Sequence, residues 1–204
     1  MTARLHRCGD HAVLVELDRL EEVVALYDAL AADTPPGIVD LVPAARTLLV
    51  RFEPPTRHAE VESAVLAARP AGGRRVTTEE VVIPVVYDGD DLADVARLTG
   101  LTEREVVAAH TGTVWTVAFC GFAPGFGYLV GGDPRLAVPR RTESRVRVPT
   151  GAVALAGEFS GVYPRESPGG WQLIGRTETV VWDIAADPPA LLRPGVRVRF
   201  AEAS

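Results

Sequence analysis

Eleven of the chain's nineteen glycines fall between Gly121 and Gly175, a density that rules out long helices there. Short β-rich runs stand around and among them: Val114–Cys120, Ala152–Ala156, Gln172–Ile174, Val180–Ile184 and Val196–Phe200. Runs this short, separated by Gly and Pro, fit a compact β-barrel or sandwich with long loops. The first part of the chain reads differently. Val13, Val15 and Leu17 alternate with Ala12, Leu14 and Glu16, as in a half-buried strand. Leu20, Val23, Val24 and Tyr27 follow at helical spacing, and Thr34-Pro-Pro-Gly37 ends that helix. Ile38 to Val42 is a short apolar run, and Leu48, Val50 and Phe52 alternate again. Thr56 is placed to cap a second helix with Val61, Ala64, Val65 and Ala68 on its face.

Arg69 to Arg75 reads as a loop, and Glu79 to Val86 as a strand whose Pro84 predicts an edge position. The order β-α-β-β-α-β predicts a small ferredoxin-like α+β domain over residues 1–86. A second, mainly-β domain is then expected over 87–204. It opens with two short helices, Asp91 to Leu98, stopped by Gly100, and one from Thr102-Glu-Arg-Glu105, a capping box, to about His110.

Charge and composition exclude several functions. A chain of 204 residues buries roughly 70% of its unfolded surface and needs no disulfide or metal to fold. Cys8 and Cys120 make no CxxC, and four histidines show no zinc spacing. The formal net charge of −6 argues against non-specific nucleic-acid binding. All 21 basic residues are Arg, which removes a Walker-A lysine, a Schiff-base lysine and a kinase-type lysine. No apolar run reaches the ~18 residues of a membrane span, and the N-terminus has no signal-peptide core, so a cytoplasmic protein is expected.

Three segments can carry chemistry. In Gly121-Phe-Ala-Pro-Gly-Phe-Gly-Tyr-Leu129, Pro124-Gly125 suits the centre of a type II turn, while Gly121 and Gly127 let a ligand approach the backbone. Phe122 and Phe126 flank that turn; a loop anchored only for packing is the alternative. In Ser167-Pro-Gly-Gly-Trp171, Pro168-Gly169 repeats the turn chemistry, Gly170 bares the backbone, and successive N–H groups can form an anion nest. Trp171 can stack on a ligand ring or fill the core. Between these segments lie Arg135, Arg140, Arg141, Arg145 and Arg147, opposed inside the run only by Glu143. Their guanidinium forks suit carboxylate or phosphate; Arg on the solvent face of a strand is the other reading, above all for Arg147. His110 is expected as an imidazolium at a helix C-terminus. Ser144, Ser160 and Ser167 lack a nucleophile elbow, and the acids show no catalytic pairing.

These loops resemble the allophanate hydrolase subunit 1 family, also described as the B component of 5-oxoprolinase, which includes an inhibitor of a sporulation sensor histidine kinase. The resemblance rests on Pro84-Val-Val-Tyr87, the helix ending in His110, the 121–129 loop, Pro139-Arg-Arg141 and Val148-Pro-Thr-Gly-Ala-Val153. It continues through Gly161-Val-Tyr-Pro164, Ser167 to Thr177 and Leu191-Leu-Arg-Pro-Gly195. It implies a small α+β domain followed by a cyclophilin-like barrel. It also implies one member of a multi-protein complex that opens 5-oxo-L-proline to L-glutamate with ATP and Mg2+. The partners would be the C component of 5-oxoprolinase, with a related barrel, and a third oxoprolinase component. With that chemistry, Arg140 and Arg145 are the candidate catalytic groups. Gly121, Phe122, Pro124, Gly125 and Tyr128 are candidates for binding substrate or nucleotide. So are Tyr163, Pro168, Gly169, Gly170 and Trp171. His110 and Arg176 are secondary candidates, and no metal ligand is assigned to this chain. The sequence departs from the family pattern in three places: Phe159-Ser160 stands for Gln-Thr, Ser144 for Pro, and Ala152 for Ser. A kinase-inhibiting module and a carboxyltransferase-like component acting on a urea-type substrate remain alternatives.

Overall fold

The computed structural model describes residues 3–69 and 79–203, so the expected loop at 69–75 lies, beyond Arg69, outside the described residues. The chain divides into two compact units, residues 1–75 and 76–204.

The first unit is a four-stranded antiparallel sheet backed by two helices. In chain order it runs β1 (Arg4–Arg7), β2 (Ala12–Glu16), α1 (Leu20–Ala32), β3 (Ile38–Pro43), β4 (Thr47–Phe52) and α2 (His58–Ala67). The sheet order is β1-β2-β4-β3. Val13 and Val15 pair with Val50 and Leu48, and with Phe52 they form the buried face, as their alternation predicts. Helix α1 buries Leu20, Val23, Leu26 and Leu30, a stripe at i, i+3, i+6, i+10, and half-buried Tyr27 packs against the same core; the expected Val24 is not part of it. Helix α2 adds Val61 and Val65. Thr56 does not cap α2; Arg57 stands at the cap position, and Glu60 reaches back to accept its N–H at 3.2 Å.

The second unit is built on a seven-stranded sheet. Its strands are β5 (Glu80–Val85), β6 (Trp115–Cys120), β7 (Gly127–Val130), β9 (Ala152–Ala156), β10 (Phe159–Val162), β12 (Gln172–Arg176) and β13 (Arg197–Glu202). They lie in the order β12-β9-β10-β7-β6-β13-β5. Val86 and Arg176 exchange N–H···O=C bonds of 2.9 Å each, joining the two end strands into a nearly closed, barrel-like sheet. A separate ribbon pairs β8 (Arg145–Val148) with β11 (Ser167–Gly169).

This arrangement corrects the expected ferredoxin-like unit. The strand meant to complete it, β5, pairs in parallel with β13 along its whole length, Glu80 opposite Arg197 through Val85 opposite Glu202. Its buried Ile83 and Val85 belong to the second core. The fourth strand of the small sheet is instead β1, whose Arg-Leu-His-Arg sequence carries no apolar alternation.

Two helices, α3 (Leu92–Thr99) and α4 (Glu103–Thr111), contribute Leu92, Val95, Ala96, Val106 and Ala109 to the barrel core. Gly100, at φ 72°, ends α3 in the left-handed conformation. The Thr102–Glu105 capping box forms, with the Thr102 N–H donating at 2.8 Å and the Glu105 N–H donating at 3.2 Å. Every residue of β9 is buried, and its two faces serve different cores. Val153 and Leu155 join the helices, whereas Ala152, Ala154 and Ala156 present small side chains to an aromatic cluster. No helix among the described residues is long and apolar enough to cross a membrane.

Candidate binding site on the barrel

The loop between β6 and β7 folds back on itself through three backbone bonds. Phe126 N–H donates to Ala123 at 3.0 Å, closing the expected turn with Gly125 at φ 82°. A Cβ at Gly125 would fall 2.5 Å from Trp182 Cβ, so both the dihedral and the space demand glycine. Ala123 N–H donates to Gly121 at 2.8 Å, closing a three-residue turn around Phe122. Phe122, at φ 68°, is the one non-glycine residue with positive φ among the described residues. A bulky residue held there costs about 1–3 kcal/mol, and such strain gathers at functional sites. The ring is nevertheless 58% exposed.

Beneath it lies the aromatic cluster. Phe126 meets Tyr163 and Trp171 edge-to-face at 5.3 Å each, Tyr128 meets Trp171 at 5.5 Å, and Phe122 meets Phe126 at 5.4 Å. Tyr163 and Trp171 are buried, so they form the floor of the site rather than open walls. The Trp171 backbone N–H favours the ionised form of the Tyr163 phenol, against the larger effect of burial. Gly161 sits opposite Ala154 under these rings, and a Cβ there would come 2.9 Å from Phe126 Cζ and 3.2 Å from Trp171 Cζ3. Gly161→Val should therefore cost about 1–3 kcal/mol by overpacking. The urea midpoint, followed by tryptophan fluorescence, checks this; an unchanged midpoint would mean that the rings move aside freely.

The second glycine segment departs from expectation. Ser167–Gly169 is strand β11, and neither Gly169 nor Gly170 has positive φ, so no second Pro-Gly turn and no anion nest form. The glycines serve close approach instead. A Cβ at Gly169 would lie 2.4 Å from the Tyr163 hydroxyl, and one at Gly170 would lie 2.8 Å from Ser144 Oγ. Pro168 is exposed on the ribbon.

The five arginines are not equivalent. Arg135 pairs with Asp133 at 2.6 Å, and Arg147 takes the alternative reading, on the solvent face and paired with Glu166. Asp91 takes two others: Arg145 grips it with both terminal nitrogens, at 2.8 and 2.9 Å, and Arg141 adds a third bond. Asp91 is 1% exposed. Burial pushes its carboxyl up. The hydrogen bonds from Arg145 and the Leu173 N–H, with the charges of Arg145 and Arg141, outweigh that and hold it below the usual carboxylate range. Arg140 alone of the five has no carboxylate partner among the described residues. It is exposed, and its charge reaches two phenols. Burial raises the pKa of both Tyr128 and Tyr163, and the Arg140 charge opposes that rise in each. Main-chain bonds fasten its neighbours: Arg141 N–H donates to Gly170 at 2.8 Å, and Gln172 Nε2 donates to the Pro139 carbonyl at 3.1 Å.

The structure gathers Gly121, Phe122, Tyr128, Arg140, Tyr163, Gly169 and Trp171 around one cluster. In the same loops Pro124-Gly125 turns against Trp182, Gly170 packs on Ser144, Pro168 is exposed and Arg145 is held by Asp91. Two further candidates lie elsewhere. Arg176 lies at the barrel seam, bonded to Asp88 at 2.9 Å, beside a cavity of about 420 Å3 lined by Val86, Thr177 and Thr179. His110 is wholly buried and does not act as a charged helix cap. Its Nδ1 is 2.7 Å from the Tyr87 hydroxyl, its Nε2 is 2.8 Å from Ser160 Oγ, and its ring stacks on Phe200 at 4.2 Å. Burial pushes its pKa down to about 3, so the imidazolium expected at this helix end does not form near neutral pH. Asp91 and the Tyr87–His110–Ser160 chain escaped the sequence reading. An Asp before a helix reads as a cap, and a Ser without an elbow motif carries no signal.

A family model described as carboxyltransferase domain, subdomain C and D, matches residues 3–192. The chain belongs to that family. A relative from Escherichia coli O157:H7, named as the B component of 5-oxoprolinase, is 37% identical over 209 residues, spanning 97% of this chain and 95% of its own. Another of the same name, from Bacillus subtilis (strain 168), is 35% identical over 232 residues, spanning 100% and 95%. The resemblance read from the loops is thereby established along nearly the whole chain. Among solved structures, TTHA0988 superposes with a TM-score of 0.77 at 36% identity. The match covers 95% of this chain but 40% of that longer polypeptide.

Proposed function

We propose that this chain is the B component of an ATP-dependent 5-oxoprolinase complex, which opens 5-oxo-L-proline to L-glutamate at a site completed by the C component and a third protein. The observation that carries this reading is the convergence of the three family-matching segments on Arg140, the one guanidinium of its segment without a carboxylate partner among the described residues. Relatives that share 35–37% of the sequence bear the name of that component. ATP with Mg2+ enters at the level of the complex, the metal arriving with the nucleotide. Among the described residues no three His, Cys, Asp or Glu side chains gather as a metal cage.

The lactam is an unreactive amide. Transfer of the γ-phosphoryl group of ATP to the amide oxygen would make carbon 5 attackable by water. Collapse of the adduct then breaks the C–N bond, the ring nitrogen taking a proton as it leaves, and gives γ-glutamyl phosphate, which a second water hydrolyses to glutamate and phosphate. Such a path asks the protein for placement and charge stabilisation more than for a nucleophile. This chain offers Arg140, the strained 121–127 turn and the Tyr128 hydroxyl, above a floor of Tyr163 and Trp171. Arg145, spent on Asp91, supports the site from behind rather than touching the ligand.

The test is reconstitution with the other components of the complex, measuring 5-oxoproline-dependent ADP release and glutamate formation. The isolated chain should be inactive. Arg140→Ala in the complex should lower kcat/KM about 10²-fold, or roughly 3 kcal/mol of transition-state stabilisation. Unchanged turnover would take Arg140 out of the site, and ADP release without glutamate would point to another amide substrate.

A further inference from the structure

Asp91 stands at the N-cap position of α3, where an aspartate ordinarily accepts N–H groups of its own first turn. Its side chain makes no such bond. One oxygen accepts the Leu173 N–H at 2.7 Å and Arg145 Nη1 at 2.8 Å, and the other accepts Arg145 Nη2 at 2.9 Å and Arg141 Nη1. Every strong lone-pair direction is turned toward the 139–145 segment and β12. Asp90, 3.6 Å from Arg145, balances the remaining charge. With Arg135 and Arg147 paired elsewhere, a run of five cations presents one free fork. That fork stands between two residues whose backbones are tied to Gly170 and Gln172.

We infer that Asp91 is the positioning residue of this site. By consuming Arg141 and Arg145 it leaves Arg140 as the single guanidinium of the 135–147 run without a carboxylate partner among the described residues, and so selects a ligand with one carboxylate. A lone planar fork matches one carboxylate through two parallel bonds, whereas a polyphosphate calls for several cations. The choice of 5-oxo-L-proline as probe rests on the reading above; the positioning role does not.

The test is a double-mutant cycle in the reconstituted complex, with Asp91→Asn, Arg140→Gln and the pair. Arg140→Gln should lower kcat/KM for 5-oxo-L-proline about 10²-fold and Asp91→Asn roughly tenfold, each chiefly through KM. The pair should be no worse than Arg140→Gln, because Asp91 acts through Arg140. Losses that multiply would overturn the assignment, since a merely structural role adds independently. Pyrrolidin-2-one, the same lactam without the carboxylate, should inhibit wild type and Arg140→Gln equally; a parallel loss for both compounds would overturn the carboxylate preference. Where Asp91→Asn does not fold, Arg141→Gln, which removes a 31% exposed side chain, takes its place in the cycle. A wild-type complex that releases no ADP with 5-oxo-L-proline defeats the functional reading but not the positioning role. That role is then read by amide hydrogen exchange on the full-length chain. Asp91→Asn should speed exchange over residues 139–145 roughly tenfold, while Asp133→Asn leaves it unchanged. Equal protection in both would end the proposal.

Discussion

Lowering the pH from 7 to 4.5 should cost the second unit about 3 kcal/mol of stability through His110 alone. The ring is enclosed by Tyr87, Ser160, Trp115 and Phe200, and the Trp115 Nε1–H donates to the His110 carbonyl at 3.0 Å. Among the described residues no carboxylate bonds to the ring; an acid whose charge acts in this neighbourhood is Glu202, on Tyr87. In the unfolded chain the imidazole takes a proton near pH 6.5, but in the fold only near 3. Between those values the unfolded state holds the extra proton, so stability falls as pH falls, by about 1.4 kcal/mol per unit. The loss levels off below about pH 3, at roughly 5 kcal/mol.

All three tryptophans, Trp115, Trp171 and Trp182, lie in this unit, so urea unfolding followed by their fluorescence reads it. His110→Gln should begin less stable at pH 7, having lost the stack on Phe200. It should also fall less steeply with acid. The gap between the two proteins should narrow by about 3 kcal/mol from pH 7 to pH 4.5. Asp91, Asp133 and Glu105 have lowered pKa values and lose their contributions below the ordinary carboxylate range, but they do so in both proteins and cancel. A gap that stays constant would mean that the buried imidazole is protonated in the fold.

What the sequence makes legible is what closes within a few residues. The Thr102–Glu105 box, the Gly100 stop, the Pro124-Gly125 turn and the alternation of Leu48, Val50 and Phe52 all arise from neighbours, and all are present. What it hides is set by distant partners. β5 reads as the last strand of the small domain because Ile83 and Val85 alternate in any sheet; its partner β13 lies at the far end of the chain. The arginine run reads as a positive island because only Glu143 interrupts it. Its neutralising acids arrive from outside: Asp91 from 50 and 54 residues away, and Glu166 from 19. His110 sits in the last turn of its helix as expected, but β10 and β13 enclose it, and enclosure reverses its charge state.

Asp91→Ala should lower the stability of the second unit by about 3–5 kcal/mol, against 1 kcal/mol or less for Asp133→Ala. Both remove an aspartate that binds arginine, and they differ in burial. Arg141 and Arg145 keep only 31% and 18% of their side-chain surface exposed, so without Asp91 two guanidiniums face each other with little water to screen them. The Leu173 N–H is orphaned in the same step, which costs about 1–3 kcal/mol by itself. Arg135, on the surface, simply returns to solvent when Asp133 is lost. Because Asp91 has a lowered pKa, its contribution is present above the ordinary carboxylate range and disappears as pH falls through the folded value. The Asp91→Ala penalty should therefore shrink in acid. It should also persist in high salt, since ions screen a buried pair far less than an exposed one. Urea unfolding of both variants at low and high salt separates the cases. Equal penalties for the two would mean that the Asp91 cluster is solvated, and that the 139–145 segment is held by its backbone bonds alone.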